Sequence, residues 1–398
     1  MGIYLFIAAT WNNFMRYRRF GKTEMLLSVF SLGTMRYLES EENAVSTIFK
    51  AIELGINHIE TAKGYGKSEQ FVGAAFRAGL DKHRDSLNGD ASRRLYVTTK
   101  IVPTPDADTM RRQIEDSLQK MNLDYIDNFD LHGVNTWEHL ELLKNPQGCM
   151  KAVQEAVDRK LIRHVGFSTH APLEVILAAI QTDLFTSVNL HYYYFNQRNE
   201  PAVQLAHEKD MGVFIISPSD KGGMIYKPSA KLKSLCYPFT PIYVNDRFLL
   251  SDPRVHTLSL GAAHPQEFAE HQEAWENDAP LSELENEIFA CMHRHYVEGL
   301  GSDRCSQCYA CLPCPEEINI PEILRLRNLA VAHDMVEFGK YRYAMFGNAG
   351  HWFPGEKGDR CTDCGDCLPR CPEKLDIPKL LRDTHDRLYE GEGKRLWD

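Results

Sequence analysis

Short apolar runs alternate with amphipathic stretches from about residue 26 to residue 263. The strand-like runs are Leu26–Leu32, Ile56–Thr61, Leu95–Ile101, Ile126–His132, Ile162–Ser168, Ser187–Tyr192, Val213–Ser217 and Val255–Leu260. Strands buried on both faces read this way. Between them, residues 43–54 set Val45, Ile48, Phe49 and Ile52 on one helical face. Residues 107–120 do the same with Met110, Ile114 and Leu118, and stretches 149–159 and 172–181 continue the series.

Eight strands with helical crossovers over this span match a closed (β/α)8 barrel, typically about 250 residues long. An open doubly wound sheet needs a Gly-rich turn after its first strand. Leu32-Gly33-Thr34-Met35-Arg36 offers one glycine. The pattern therefore predicts an α/β fold, a (β/α)8 TIM barrel over residues 15–280, preceded by an extension over 1–14. The Pro- and Gly-punctuated segment Asn196–Asp252 predicts long loops, and the polar stretch 84–94 a surface insertion. After Glu283 the alternation stops. Helical patterns over about 281–297, 322–346 and Pro378–Tyr389 predict a smaller, mostly helical domain over 281–398, whose own apolar content is thin.

Composition narrows the class. The chain has 398 residues, 43% hydrophobic and 25% charged, and a net charge of −10. That excludes a mainly disordered or collagen-like chain, and the acidic balance argues against nucleic acid as partner. No run reaches the roughly 18–20 apolar residues of a membrane span. The apolar opening Met1–Ala9 lacks the basic flank of a signal peptide.

Of eleven cysteines, only Cys149, Cys236 and Cys291 stand outside two tight clusters near the C-terminus. Clustered thiols at two-residue gaps in a long chain read as metal ligands kept reduced, which predicts a cytoplasmic protein.

Barrels of this kind carry their chemistry at the C-terminal ends of the strands. The second strand runs into Glu60-Thr61-Ala62-Lys63-Gly64-Tyr65, the third ends at Lys100 and the fourth at His132. This set suits carbonyl reduction, because an incoming hydride leaves an alkoxide that needs a proton and charge stabilisation. Tyr65 would give the proton and Lys100 would stabilise its phenolate. Glu60 would hold Lys100, and His132 would orient the carbonyl oxygen.

At these residues the chain resembles the aldo-keto reductase family over about 16–275. Further landmarks are Ser31-Leu32-Gly33-Thr34, Ile162-Arg163-His164-Val165-Gly166-Phe167-Ser168, Ser217-Pro218 and Gly261-Ala262-Ala263. The resemblance implies a barrel that binds NADPH or NADH without a Rossmann motif, and a small-molecule carbonyl or alcohol substrate. Its usual tetrad is Asp, Tyr, Lys and His, so Glu60 is one methylene longer than the pattern. Gly33 and Thr34 would lie by the cofactor, Ser168 and Asn189 at the carboxamide, and Ser217, Lys221 and Gly222 along the pyrophosphate. Gly261–His271 would hold the adenosine end. There this chain offers His264, Glu267 and His271 where members that grip a 2′-phosphate place Arg or Lys.

The second cysteine cluster reads Cys361-x-x-Cys364-x-x-Cys367-x-x-x-Cys371-Pro372, the bacterial ferredoxin run. The first reads Cys305-x-x-Cys308-x-x-Cys311-x-x-Cys314-Pro315, one residue shorter in its last gap. Zinc more usually takes two Cys-x-x-Cys pairs a dozen or more residues apart. The domain resembles two-cluster ferredoxins of the helical, long-insert type, which implies two 4Fe–4S clusters. By the crossing rule of that run, Cys305, Cys308, Cys311 and Cys371 would hold one cluster, and Cys361, Cys364, Cys367 and Cys314 the other. Ile318-Asn319-Ile320-Pro321 and Leu375-Asp376-Ile377-Pro378 suggest an internal repeat. Together the halves imply an oxidoreductase that moves a hydride in the barrel and single electrons through the clusters, with a redox partner protein. The rival reading is an electron-transfer or interaction protein with the barrel as scaffold.

Overall fold

The computed structural model of the chain describes residues 15–37, 40–84 and 90–391. The expected extension over 1–14 lies outside them, as does part of the polar stretch 84–94. The described residues form two compact units. The first runs to Tyr192 and adds Asn199–Pro218 and Leu249–Asp278. The second comprises Tyr193–Arg198, Ser219–Phe248 and the residues from Ala279 onward. The second unit thus takes two segments from within 15–280.

Ten strands occur in the first unit: β1 Tyr17–Arg19, β2 Leu26–Ser28, β3 Phe30–Gly33, β4 His58–Glu60, β5 Tyr96–Ile101, β6 Ile126–Leu131, β7 Ile162–Ser168, β8 Ser187–Leu190, β9 Gly212–Ile215 and β10 Thr257–Leu260. β3 to β10 close into a parallel barrel in chain order, with β10 returning to β3. The run Leu26–Leu32 makes two strands, not one. Its first half pairs antiparallel with β1, and only its second half enters the barrel.

That β1–β2 ribbon covers the N-terminal end of the barrel. Its turn residue Gly21 has φ +52°, and a Cβ there would lie about 2.5 Å from the backbone of Asp210–Gly212, where β9 begins. Phe20, Met25 and Leu27 pack with Tyr96 and Phe214. With that end plugged, the C-terminal ends of the strands are left for chemistry.

Apart from Arg163–Val165 at the start of β7, the barrel strands are buried along their length, yet alternate positions differ. His58 and Glu60, Thr98 and Lys100, Asn128 and Asp130, Ser187 and Asn189 are polar and buried. The hydrogen bonds among them place these side chains inside the barrel, since period-two strands put residues i and i+2 on one face. Ser31 Oγ meets His58 Nδ1 at 2.7 Å and Thr257 Oγ1 at 2.8 Å, and His58 Nε2 meets Thr98 Oγ1 at 2.7 Å. Gly166 leaves room for Asp130 and Ser187, whose side-chain oxygens a Cβ would strike.

In the second unit, the helix Glu283–Leu300 starts with a capping box between Ser282 and Glu285. The pattern over 322–346 resolves into two helices, Ile320–His333 and Val336–Tyr343, because Asp334 takes a left-handed φ of +56° and ends the first. The segment Asn196–Asp252 is less irregular than its prolines suggest, holding the helices Glu200–Glu208, Ala230–Cys236 and Pro241–Leu250. Two of these help the second unit. Leu232, Cys236, Ile242 and Val244 join one buried cluster with Ile323, Leu326, Phe338 and Leu381. Residues 219–248 thus supply apolar surface that the C-terminal stretch lacks. Among the described residues, no helix is long and apolar enough to cross a membrane.

Candidate functional site

Three of the four expected catalytic side chains are brought together by backbone pairing that continues past the strand ends. Thr61 and Lys63 donate N–H bonds to the carbonyls of Thr98 and Lys100 at 2.9 and 3.0 Å, and His132 donates to Ile101 at 2.8 Å. Tyr65 sits on the turn that follows, its N–H bonded to Ala62 and its carbonyl accepting from Ser68, both at 3.0 Å.

Lys100 is almost wholly buried. Its ammonium is ion-paired with Glu60 and donates to the Thr61 carbonyl at 3.0 Å. It also lies 4.8 Å from the centroid of the Tyr65 ring. Tyr65 meets His132 edge-on, with ring centroids 5.5 Å apart and planes at 85°. The tetrad is therefore one contiguous group. Burial, and secondarily the Asp130 carboxylate, hold the Tyr65 phenol above its ordinary range. A phenol so placed stays protonated at neutral pH and is ready to donate, not to accept.

Two inward residues belong to this group and were not picked out by reading strand ends. Asp130 is fully buried, accepting from Asn128 Nδ2 at 2.8 Å and from Asn189 Nδ2 at 2.7 Å. Burial pushes its carboxyl up to about 6, against the pull of Lys100 and these two amides. Burial and Lys100 push His58 down to about 3, so its ring is neutral. Both stand two positions before a strand-end residue, at His58/Glu60 and Asp130/His132, so period-two reading backward from the strand ends would have found them. A second feature missed is the pair His170 and His191, whose ring nitrogens lie 2.7 Å apart just beyond β7 and β8.

The cofactor candidates fall in several places. Gly33 is in register with Glu60, and Thr34 Oγ1 donates to the Glu60 carbonyl at 3.0 Å. Ser168 Oγ accepts from the Gly133 N–H at 3.1 Å, while Asn189 is engaged with Asp130. Ser217 follows β9 with a φ of +49°. Lys221 and Gly222 belong to the second unit, where burial and Arg342 push the Lys221 ammonium down to about 8. The Gly261 carbonyl accepts from Arg36 at 2.9 Å, and Arg36 pairs with Glu267 at 2.6 Å. An arginine thus reaches this segment from the loop after β3. His264 Nδ1 lies 3.2 Å from Asn43 Oδ1. His271 is buried, its ring 5.4 Å from that of Phe30.

The eight clustered cysteines line two cavities. One is bounded by Cys305, Cys308, Cys311 and Cys371, the other by Cys361, Cys364, Cys367 and Cys314. Each takes three thiols from one run and one from the other. Burial raises the Cys305 and Cys367 thiols and pushes Cys311 up to about 12. Thiols massed away from water resist ionising together, and iron would supply the positive charge that lets them do so. Among the described residues, no three His, Cys, Asp or Glu side chains close on a point as around a single ion. Four thiols around a cavity, three plus one, fit a cubane.

The sequence pattern of the Aldo/keto reductase family matches residues 30–234. The chain belongs to that family. A 4Fe-4S dicluster domain matches residues 304–375. Similar proteins include the uncharacterized oxidoreductase YqkF of Bacillus subtilis, 26% identical over 65% of this chain and 91% of its own length. Another is the methylglyoxal reductase DkgA of Escherichia coli, 27% identical over 64% of this chain and 86% of its own. The aldo-keto reductase AKR11C1 of Bacillus halodurans shares the fold, with a TM-score of 0.57 at 22% identity, covering 69% of this chain and 95% of that one. The aldo/keto reductase barrel of this chain is thus fused to an iron–sulfur domain.

Proposed function

We propose that this chain is a nicotinamide-dependent carbonyl reductase, or its reverse, whose turnover is accompanied by electron transfer through two 4Fe–4S clusters. The observation that carries the reading is the buried Glu60–Lys100 ion pair beneath the ring of Tyr65, with His132 at that ring's edge.

A reduced nicotinamide bound at the strand ends would supply the hydride. Tyr65 then gives its phenolic proton to the forming alkoxide oxygen. The ammonium of Lys100 stabilises the phenolate left behind, offsetting the upward push of burial and Asp130. Glu60 fixes where that ammonium sits. His132 holds the carbonyl oxygen toward Tyr65. Cofactor contacts are assigned to Gly33, Thr34, Ser168, Asn189, Ser217, Lys221, Gly222, Gly261, His264, Glu267 and His271. Small aldehydes and ketones are the substrate class to try, in keeping with the methylglyoxal reductase among the relatives.

Bound in the cysteine cavities, two clusters would each carry one electron at a time, a chemistry separate from the barrel step, in which the carbonyl takes both electrons of the hydride. Cys305, Cys308, Cys311 and Cys371 are assigned to one, and Cys361, Cys364, Cys367 and Cys314 to the other. On this reading the protein works in the cytoplasm, where a redox partner protein would exchange electrons with the clusters. Titrating anaerobically purified protein with NADPH and with NADH, followed by fluorescence, tests the barrel half. Saturable quenching with either supports a reductase, and no binding of both would favour a barrel that serves only as scaffold.

A further inference from the structure

The two cysteine runs fold as near copies. Left-handed φ angles occur at Gln307, Tyr309 and Glu317 in the first and at Asp363, Gly365 and Lys374 in the second. Leu312 donates its N–H to Tyr309 at 3.1 Å, as Leu368 does to Gly365 at 3.0 Å. Cys308 and Cys364 are exposed in turn, Cys311 and Cys367 buried. The repeat makes the departures legible.

One departure stands at the turn after the second cysteine. The second run has Gly365 at φ +79°, the residue that adopts this conformation without strain. The first run has Tyr309 at φ +62°, where a bulky side chain is disfavoured. Tyr309 lines the first cavity, and its hydroxyl accepts a hydrogen bond from Arg198 Nη1 at 3.3 Å. Gly365 lines the second cavity with no side chain at all. The second cavity differs again at its ligand Cys314. That residue borders an open hollow of about 490 Å³ with Pro313, Pro369 and Arg370.

We propose that Tyr309, steadied by Arg198, is a partial shield that slows the attack of water-borne reagents on the first cluster, whose ligand Cys308 stays exposed, and leaves the second as the one that exchanges electrons more readily with the outside. This rests on the two-cluster reading above.

The test uses the anaerobic holoprotein, mixed with ferricyanide and EDTA while iron release is followed. Freed thiols are then reduced with a phosphine, labelled with N-ethylmaleimide and mapped. Iron should leave in two phases of equal size, the first labelling Cys314, Cys361, Cys364 and Cys367. Tyr309→Gly suits the turn, so the fold should persist, and the slow phase should quicken about tenfold as exposure of that cluster rises. Tyr309→Phe keeps the ring but loses the hydrogen bond from Arg198, so it should quicken the slow phase less than Tyr309→Gly does. First-phase label on Cys305, Cys308, Cys311 and Cys371, or a slow phase unchanged in Tyr309→Gly, would overturn the shield. Starting iron of four atoms or none per chain would instead overturn the two-cluster reading, before any kinetics.

Discussion

Glu60 and Lys100 form an ion pair with side-chain exposures of 4% and 1%. The strand neighbour of Glu60 in register is Gly33, where an added Cβ would strike Ser259 Oγ at 2.5 Å and only touch Glu60. Glu60 Oε2 lies 3.5 Å from where a Gly33 Cβ would stand. The glutamate already reaches Lys100 from its buried position, so shortening it should harm, not repair, the site. Glu60→Asp is expected to lower carbonyl turnover by up to about 100-fold through misplacement of Lys100. Glu60→Gln, which leaves the ammonium without its carboxylate, should also cost about 3 kcal/mol of stability by denaturant midpoint. A rise in turnover with Glu60→Asp would favour a barrel drifted from hydride chemistry.

The barrel interior has two opposing acid responses. His58 is pushed down to about 3 in the folded state. Its contribution is present above the unfolded value near 6.5 and is lost as pH falls toward 3. Asp130 is pushed up to about 6. The folded state therefore holds its proton more tightly, and stability tied to it grows as pH falls from 6 toward 3.8. Between pH 7 and pH 5, wild type should lose about 2 kcal/mol relative to His58→Asn and gain about 1 kcal/mol relative to Asp130→Asn. Urea unfolding at the two pH values checks both signs; parallel curves for wild type and both variants would contradict the linkage.

Cluster pairing is tested by double variants. Removing Cys308 and Cys371, which line one cavity, should leave about four irons of about eight. Removing Cys308 and Cys314, which line different cavities, should leave few or none. Iron and sulfide analysis reads the difference, and the reverse pattern would refute the crossing.

The Arg36–Glu267 pair is half-exposed and therefore weak, worth about 1 kcal/mol or less. If Gly261–His271 receives the adenosine end, Glu267 occupies Arg36 and sets its own charge against a 2′-phosphate. Glu267→Ala is expected to improve the KM for NADPH relative to NADH by about threefold to tenfold. An unchanged ratio would place the phosphate elsewhere.

Strand order was legible because eight apolar runs with helical spacing admit few topologies. The break between β2 and β3 was not, since Leu26–Leu32 stays apolar while Ser28 and Val29 pass from ribbon to barrel. Tyr65, Lys100 and His132 were readable as strand-end residues. His58 and Asp130 were hidden inside runs whose polar members look like interruptions until the inward face is known. Lys221 lay in a segment whose chain position says barrel but whose packing belongs to the second unit. Tyr309 needed both runs folded and compared, because only the matched φ angle at Gly365 shows it to be out of place.

Tyr65→Phe tests the central claim most directly, because it removes one oxygen and keeps the ring against Lys100 and His132. Turnover of a small aldehyde with the preferred nicotinamide should fall at least about 100-fold, the scale of general acid catalysis, with cofactor affinity nearly unchanged. Turnover equal to wild type would contradict the account and leave the proton donor to another group.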